Sequence, residues 1–231
     1  MTPIPFDYVA SEPTRLGMIA LRQREIPGRP GSVVTELTLD HEFLMSSHDT
    51  SSERALAGRA LELHPGEGLD VLVGGLGLGY TAWQALACER VARVEVVELL
   101  VPVIRWLERG LLPLSGELNA DPRLHVREGD VYARLLGPAQ RQHDLILVDV
   151  DHAPDNRLGQ SDGAFYGAAG LARAGRHLRP GGVLGVWSCS ESPPLAGALR
   201  ATFGEPHVVP VHFDDVITRE PTTHWLYFAR P

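Results

Sequence analysis

Asp149-Val150-Asp151-His152 places two carboxylates and an imidazole at the end of an apolar run, a set of residue types that can pass a proton or hold a cationic group. The run itself, His143-Asp144-Leu145-Ile146-Leu147-Val148, reads as a buried strand that releases Asp149 at its carboxyl end, where doubly wound sheets present reactive groups. The same acid can instead anchor its loop by accepting from nearby backbone N–H groups. Asp149, Asp151 and His152 are the candidate catalytic residues. Their types would also suit a metal ion, but nothing in the spacing supports one, and no metal is expected.

A second stretch, Asp70-Val71-Leu72-Val73-Gly74-Gly75-Leu76-Gly77-Leu78-Gly79-Tyr80, reads as a buried strand emptying into a glycine turn that opens a helix. Gly75, Gly77 and Gly79 let the backbone approach a ligand, and the helix N-terminus offers free N–H groups and partial positive charge, so the turn can cradle a nucleotide. A tight strand-to-helix turn with no ligand would need glycines too. The following strand, Arg93-Val94-Glu95-Val96-Val97-Glu98, ends on a carboxylate roughly 20 residues after the glycines, where such folds grip a ribose. Gly77-Leu78-Gly79-Tyr80-Thr81-Ala82 also fits the G-x-G-x-x-A dinucleotide fingerprint, which keeps a dinucleotide cofactor open.

A third acidic strand end, Arg127-Glu128-Gly129-Asp130, can accept a hydrogen bond from an exocyclic adenine amine. Asp130 is equally an N-cap for the helix beginning at Val131, and the two roles are compatible. His48-Asp49 can reach over the cofactor mouth or cap the helix that follows. Tyr80, Trp106, Phe165, Tyr166 and Trp187 can wall a pocket or fill the core.

These groups need a scaffold that gathers strand ends. Residues 1–48 carry short extended patterns, Leu16 to Leu21 and Val33 to Leu39, around the turn Pro27-Gly28-Arg29-Pro30-Gly31, and read as a small N-terminal β-hairpin region. A helix capped by Thr50, Ser51 or Ser52, with Leu56, Ala60 and Leu63 on its apolar face, stops near Pro65-Gly66. Strands then alternate with helices: strands at 70–74, 93–98, 123–127, 144–149, 182–188, 206–212 and 224–229, helices near 79–89, 100–110, 131–136, 163–178 and 193–203. The expected fold is α/β, a Rossmann-like doubly wound, mostly parallel seven-stranded sheet over 49–231 with an antiparallel last strand. The last two strands are joined by too short a segment for a crossover helix and should pair antiparallel.

Composition is that of a globular protein: 231 residues, 44% hydrophobic, net charge −8 and pI near 5.7. That balance, without a basic stripe interleaved with aromatics, excludes nucleic acid as the main partner. Cys88 and Cys189 lie far apart without metal or redox spacing, which fits buried thiols in a reducing compartment. No leader pattern opens the chain and no apolar run approaches about 18 residues, so a cytoplasmic location and no membrane partner are expected.

With these landmarks on the page, the chain resembles the spermidine synthase (polyamine aminopropyltransferase) superfamily, a branch of the class I S-adenosylmethionine-dependent methyltransferase fold. The resemblance runs from about residue 69 to 190 and more loosely at both ends. The family pattern Gly-Gly-Gly-Asp-Gly-Gly corresponds to Gly75-Leu76-Gly77-Leu78-Gly79-Tyr80, its Glu-x-Asp to Glu98-Leu99-Leu100, its Gly-Asp to Gly129-Asp130, and its Asp-Ser-Ser-Asp-Pro to Asp149-Val150-Asp151-His152-Ala153. Leu178-Arg179-Pro180-Gly181-Gly182-Val183 and the N-terminal hairpin region fit as well. The resemblance implies a donor site of Gly75, Gly77, Gly79, Tyr80, Glu98, Leu99, Asp130, Val131 and Asp149. In it Glu98 holds the ribose, Asp130 the adenine, and Asp149 takes the acceptor's proton or polarises its attacking amine.

The departures shape the reading. The turn aspartate that holds an aminopropyl end is Leu78, the second loop acid is His152, and the family's Tyr-Gln or Tyr-His pair has no clear counterpart in Thr50-Ser51-Ser52-Glu53. Desolvating an ammonium without a paired carboxylate costs several kcal/mol. The site therefore reads as built for a less cationic acceptor, unless Asp151, Asp49 or Glu53 takes over. The expected function is alkyl transfer from S-adenosylmethionine or a close relative to a small nucleophile, with methyl favoured. The alternatives are aminopropyl transfer from decarboxylated S-adenosylmethionine, a non-catalytic nucleoside sensor or partner subunit, and a dinucleotide oxidoreductase. The resemblance also implies a homodimer.

Overall fold

The computed structural model describes residues 6–26, 28–150, 162–214 and 221–231. Its N-terminal part is a four-stranded antiparallel meander, β1 (Asp7–Thr14), β2 (Gly17–Ile26), β3 (Arg29–Leu39) and β4 (Glu42–Ser46), paired in chain order. It is larger than the hairpin the sequence predicts. β1 and β4 are the strands the sequence reading missed, β4 because the β3–β4 turn, Asp40-His41, has positive φ at both residues (47° and 70°) without a glycine. Asp40 compensates by accepting the Met18 N–H at 2.7 Å.

α1 (Ser51–Leu63) follows and buries Leu56, Ala57, Ala60 and Leu61. It ends ahead of Pro65, with His64 already extended, because the residue before proline is pushed out of the helical region. The remaining elements are β5 (Leu69–Gly74), α2 (Tyr80–Leu86), β6 (Val91–Glu98), α3 (Val101–Glu108), α4 (Ser115–Ala120), β7 (Leu124–Glu128), α5 (Val131–Leu136), β8 (His143–Val148), α6 (Asp162–Phe165), α7 (Ala168–Gly175), β9 (Leu178–Ser188), α8 (Pro193–Phe203), β10 (His207–Asp214) and β11 (Pro221–Ala229). The helix expected over 163–178 is two helices, broken where extended Gly167 starts α7. α4 went unread in the sequence.

The main sheet runs β10-β11-β9-β8-β5-β6-β7, parallel except for β11, which pairs antiparallel with both β9 and β10. Alternate residues of the strands feed two cores. Val71, Val73, Leu145 and Leu147 pack with α1, α2 and the N-terminal sheet, whereas Leu72, Ile146 and Val148 pack with α5, α7 and α8. Every residue of β5 and β8 is buried, as central parallel strands require. The chain leaves β5 for β6 and β7 on one side and returns to β8 on the other, so the sheet's switch point lies between β5 and β8.

Candidate functional site

The strand ends at this switch point are knitted by their own backbone. Gly75 donates to Val97 O at 2.9 Å, and Asp149 donates to Gly74 O at 2.8 Å. Gly75 has φ 96°, and a Cβ on it would overlap the Asp149 carbonyl oxygen, so both conformation and space demand glycine there. Gly79, at φ 94°, is the N-cap of α2 and leaves that helix start free of a side-chain cap. Met45 of β4 leans onto the turn and its sulfur accepts the Leu78 N–H at 3.2 Å. Leu78 itself is fully buried in the core.

Glu98 clamps the turn from β6. Its Oε2 accepts from Leu76 N–H at 2.7 Å and its Oε1 from Leu100 N–H at 2.6 Å. Burial raises its pKa, opposed by the backbone amides of Leu100, Leu76, Gly77 and Leu99. Backbone amides of the turn and of the β6–α3 link thus converge on both oxygens. Asp130 caps α5, its Oδ1 accepting from Tyr132 N–H at 2.9 Å and Ala133 N–H at 3.1 Å. A cavity of about 410 Å³ opens beside it, with Leu99, Leu100, Gly129 and Asp130 on one side and Thr14 and Arg15 of the β1–β2 turn on the other. Glu12 of β1 holds that roof in place by accepting from Trp106 Nε1 at 2.8 Å and pairing with Arg105, both on α3.

Asp149 lies deep among protein atoms yet keeps part of its surface open at the end of β8. Burial pushes its pKa up to about 6, moderated by a hydrogen bond from the Thr81 hydroxyl. The structure brings to it a carboxylate that the sequence offered only as a possible substitute. Glu53, in the first turn of α1, is 8% exposed, and its pKa is pushed up to about 7 by burial first and then by the charge of Asp149, with Asp49 adding to the effect. Thr81 spans the two, since its hydroxyl oxygen also lies 3.2 Å from the Glu53 carbonyl oxygen. Asp49 meanwhile accepts the Ser51 N–H at 2.9 Å, so it both caps the approach to α1 and adds negative field to the site.

α1 packs across β9, β11 and α2, and this brings a polar chain to Glu53. The Ser52 Oγ lies 2.7 Å from Glu53 Oε2, 2.9 Å from His224 Nδ1 on β11, and accepts from Trp187 Nε1 of β9 at 3.1 Å. Burial drives the His224 pKa down to about 4 against the pull of Asp49, so the ring is neutral near pH 7. Sequence reasoning missed His224, Ser52 and Thr81. The available signal for Glu53, an acid in a first helical turn, is ambiguous because it also complements the helix dipole.

Other expectations resolve as follows. Tyr80 is half-buried, its pKa raised by burial and then by Glu53. Trp106 and Phe165 are fully buried core residues, and Tyr166 joins Phe165 and Tyr132 in an aromatic cluster. Of the aromatics expected at the mouth, Trp187 is the one bonded into the polar chain. Asp151 and His152 lie outside the described residues. Among the described residues no group of three or more His, Cys, Asp or Glu side chains could hold a metal ion, and no helix is long and apolar enough to cross a membrane.

No protein-family model matches the chain. It is 31% identical over 123 residues to a polyamine aminopropyltransferase of Prochlorococcus marinus (strain MIT 9313), a match spanning 53% of this chain and 41% of that protein. Among solved structures it is similar to a spermidine synthase in complex with the transition-state analogue AdoDATO, with TM-score 0.75 and 19% identity over 96% of this chain and 73% of the other. It is similar to the spermidine synthase from Thermotoga maritima as well, with TM-score 0.73 and 18% identity over 96% and 72%. The chain therefore has the spermidine synthase form of the class I S-adenosylmethionine-dependent methyltransferase fold, with sequence similarity to polyamine aminopropyltransferases across about half its length.

Proposed function

We infer that the chain is a transferase that moves an aminopropyl group from decarboxylated S-adenosylmethionine to a small cationic amine. The observation that carries this reading is the grouping of Glu53, Asp149 and Asp49, two of them with pKa values raised by burial. Burial penalises the charge on both Glu53 and Asp149, and the negative charges of Asp149 and Asp49 add to the penalty on Glu53, so an ammonium is the ligand this site favours and a carboxylate the one it repels. The donor's missing carboxylate and the acceptor's positive charge both follow from that field. The sequence-based preference for methyl transfer is given up: it rested on acids lost at Leu78 and His152, and Glu53 supplies an acid from another element. The likeness to a polyamine aminopropyltransferase and to spermidine synthases supports the same alternative.

In this reading Glu98 accepts from the donor's ribose hydroxyls and Asp130 lies at the adenine end, beside the cavity roofed by Thr14 and Arg15. Gly75, Gly77 and Gly79 let the turn approach the donor, flanked by Tyr80, Leu99 and Val131. Asp149 accepts the proton that the attacking amine must shed. A nitrogen–carbon bond forms in line from the amine lone pair as the carbon–sulfur bond breaks, the bonding pair of that bond departs with sulfur, and 5′-methylthioadenosine leaves neutral. Holding the two reactants in line accounts for on the order of 7–11 kcal/mol of the barrier, and a base adds about 10²–10⁴-fold.

Calorimetric titration of the purified chain with decarboxylated S-adenosylmethionine, S-adenosylmethionine, 5′-methylthioadenosine and NAD tests this. The decarboxylated donor should bind at least tenfold more tightly than S-adenosylmethionine. Equal or reversed preference returns the reading to methyl transfer or sensing.

A further inference from the structure

Ser52 is 1% exposed and has three polar neighbours but one hydrogen to give. The Trp187 indole is a donor only, so it fills one lone pair of Oγ. The remaining two partners, Glu53 and His224, then have linked roles. When Glu53 is ionised it can only accept, so the Ser52 hydroxyl must donate to it, and His224 must donate from Nδ1–H. When Glu53 carries a proton it can donate to Ser52, whose hydroxyl turns to His224, and Nδ1 becomes the acceptor with the ring proton on Nε2. Both states satisfy every partner in the chain, and they differ in the tautomer of one neutral ring.

His224 is held for this role by packing. Its ring stands edge-on to Trp187 and to Phe213, each with ring centroids 4.7 Å away. The ring therefore stays beside Ser52 while its proton moves between nitrogens. Among the described residues, the charged groups that act on Glu53 and His224 are Asp149 from the end of β8 and Asp49 ahead of α1, while Glu53 in turn raises the pKa of Tyr80 on α2.

We propose that His224 is a positioning residue: through the Ser52 hydroxyl it fixes Glu53 as the carboxylate that receives an ammonium of the acceptor, and its ring tautomer changes with the charge on Glu53. This rests on the amine-acceptor reading above. Ammonium binding draws the Glu53 proton away, the Ser52 hydroxyl swings to the carboxylate, and His224 locks it there from Nδ1–H. A diammonium acceptor is thereby selected over a neutral amine, since a neutral amine gives Glu53 no reason to ionise.

The test uses the full chain with ¹⁵N-labelled histidine rings, the His224 signals being assigned by their loss in His224→Asn. In the free protein, raising the pH from 5 to 9 should convert His224 from the Nε2–H to the Nδ1–H form without an imidazolium signature. Glu53→Gln should abolish that pH response. A tautomer indifferent to pH in the unsubstituted protein overturns the proposal. Butane-1,4-diamine added to protein saturated with 5′-methylthioadenosine at pH 6.5 should produce the same conversion and release protons, read as a buffer-dependent binding heat. His224→Ala should weaken diamine binding at least tenfold while leaving 5′-methylthioadenosine affinity unchanged. His224→Asn, whose amide N–H falls near Nδ1–H, should restore most of the loss. Equal loss in both variants overturns the positioning role. A pH-driven conversion without any diamine binding overturns the acceptor reading and the ammonium-anchoring role with it, while supporting the coupling of His224 to Glu53.

Discussion

Thr81 donates its hydroxyl hydrogen to Asp149, tying the end of β8 to the first turn of α2, and this bond opposes the burial that lifts the Asp149 pKa to about 6. Removing it should raise that pKa further. In Thr81→Val the acid limb of the transfer-rate profile should move to higher pH with little change in nucleoside affinity. A limb that stays in place would separate Thr81 from the titration of Asp149.

Asp149→Asn removes the proposed proton acceptor but keeps the shape of the site. Transfer should fall by about 10²–10⁴-fold while 5′-methylthioadenosine binds as before. Single-turnover rates with donor and diamine measure the first quantity and calorimetry the second. Unchanged turnover would remove Asp149 from the chemistry.

The pH dependence of stability has an unusual sign for carboxylates. Glu53 and Asp149 have folded pKa values of about 7 and about 6, above the ordinary 4.5 and 3.8, so between roughly pH 4 and 7 the native state binds more protons than the unfolded one. Their contribution is present at low pH and lost as pH rises through the folded values. The free protein should therefore melt at lower temperature at pH 8 than at pH 5.5 as far as these two groups decide, and butane-1,4-diamine should narrow the gap. Glu53→Gln should stabilise the free protein at pH 8 by about 1–3 kcal/mol and weaken diamine binding. Denaturant titrations at the two pH values check both; a less stable Glu53→Gln protein at pH 8 would contradict the strain assigned to this pair.

Glu98 has a double duty, because the oxygens that face the proposed ribose also hold the Leu76 and Leu100 amides. Glu98→Gln puts an NH₂ against one of those backbone donors. Nucleoside affinity should drop by more than ~1 kcal/mol, with a loss of stability of similar size. Retained affinity for 5′-methylthioadenosine would show the sugar is held elsewhere.

At the opposite end of the sheet, Asp70 accepts from Arg141 and lies 2.6 Å from His143 Nδ1, which is itself fully buried. These charges hold β5 to β8 and lie apart from the switch point. Asp70→Asn should cost about 1–3 kcal/mol, because the buried His143 loses its carboxylate partner while the half-exposed Arg141 can turn to water, yet leave nucleoside affinity in the remaining folded protein unaltered. Affinity that fell with stability would show that the sheet transmits this strain to the site.

Much of the scaffold was legible before any coordinates, because its signals are local. Val71 to Val73 and Leu145 to Val148 are apolar runs bounded by turns, and the glycines after β5 announce a strand-to-helix turn whatever surrounds them. Glu98, Asp130 and Asp149 followed from a topological rule, since strand ends of a doubly wound sheet meet at its switch point. The β4 strand was illegible because Asp40-His41 makes its turn without glycine, and the α6–α7 break because a helical pattern carries across Gly167.

The amino-acid sequence by itself determined the alternation of strands and helices, the glycine turn and the three acidic strand ends, each a property of a few neighbouring residues. What only the tertiary structure decided is the grouping of Glu53, Ser52, His224, Thr81 and Asp149. Ser52 and His224 are 172 residues apart, and Thr81 and Asp149 are 68 apart. Their meeting depends on α1 lying across β9 and β11, on β11 inserting between β9 and β10, and on the chain's return to β8 beside β5. Burial then raised the Glu53 and Asp149 pKa values and lowered that of His224, an effect of surrounding low-dielectric protein that no single residue's identity carries.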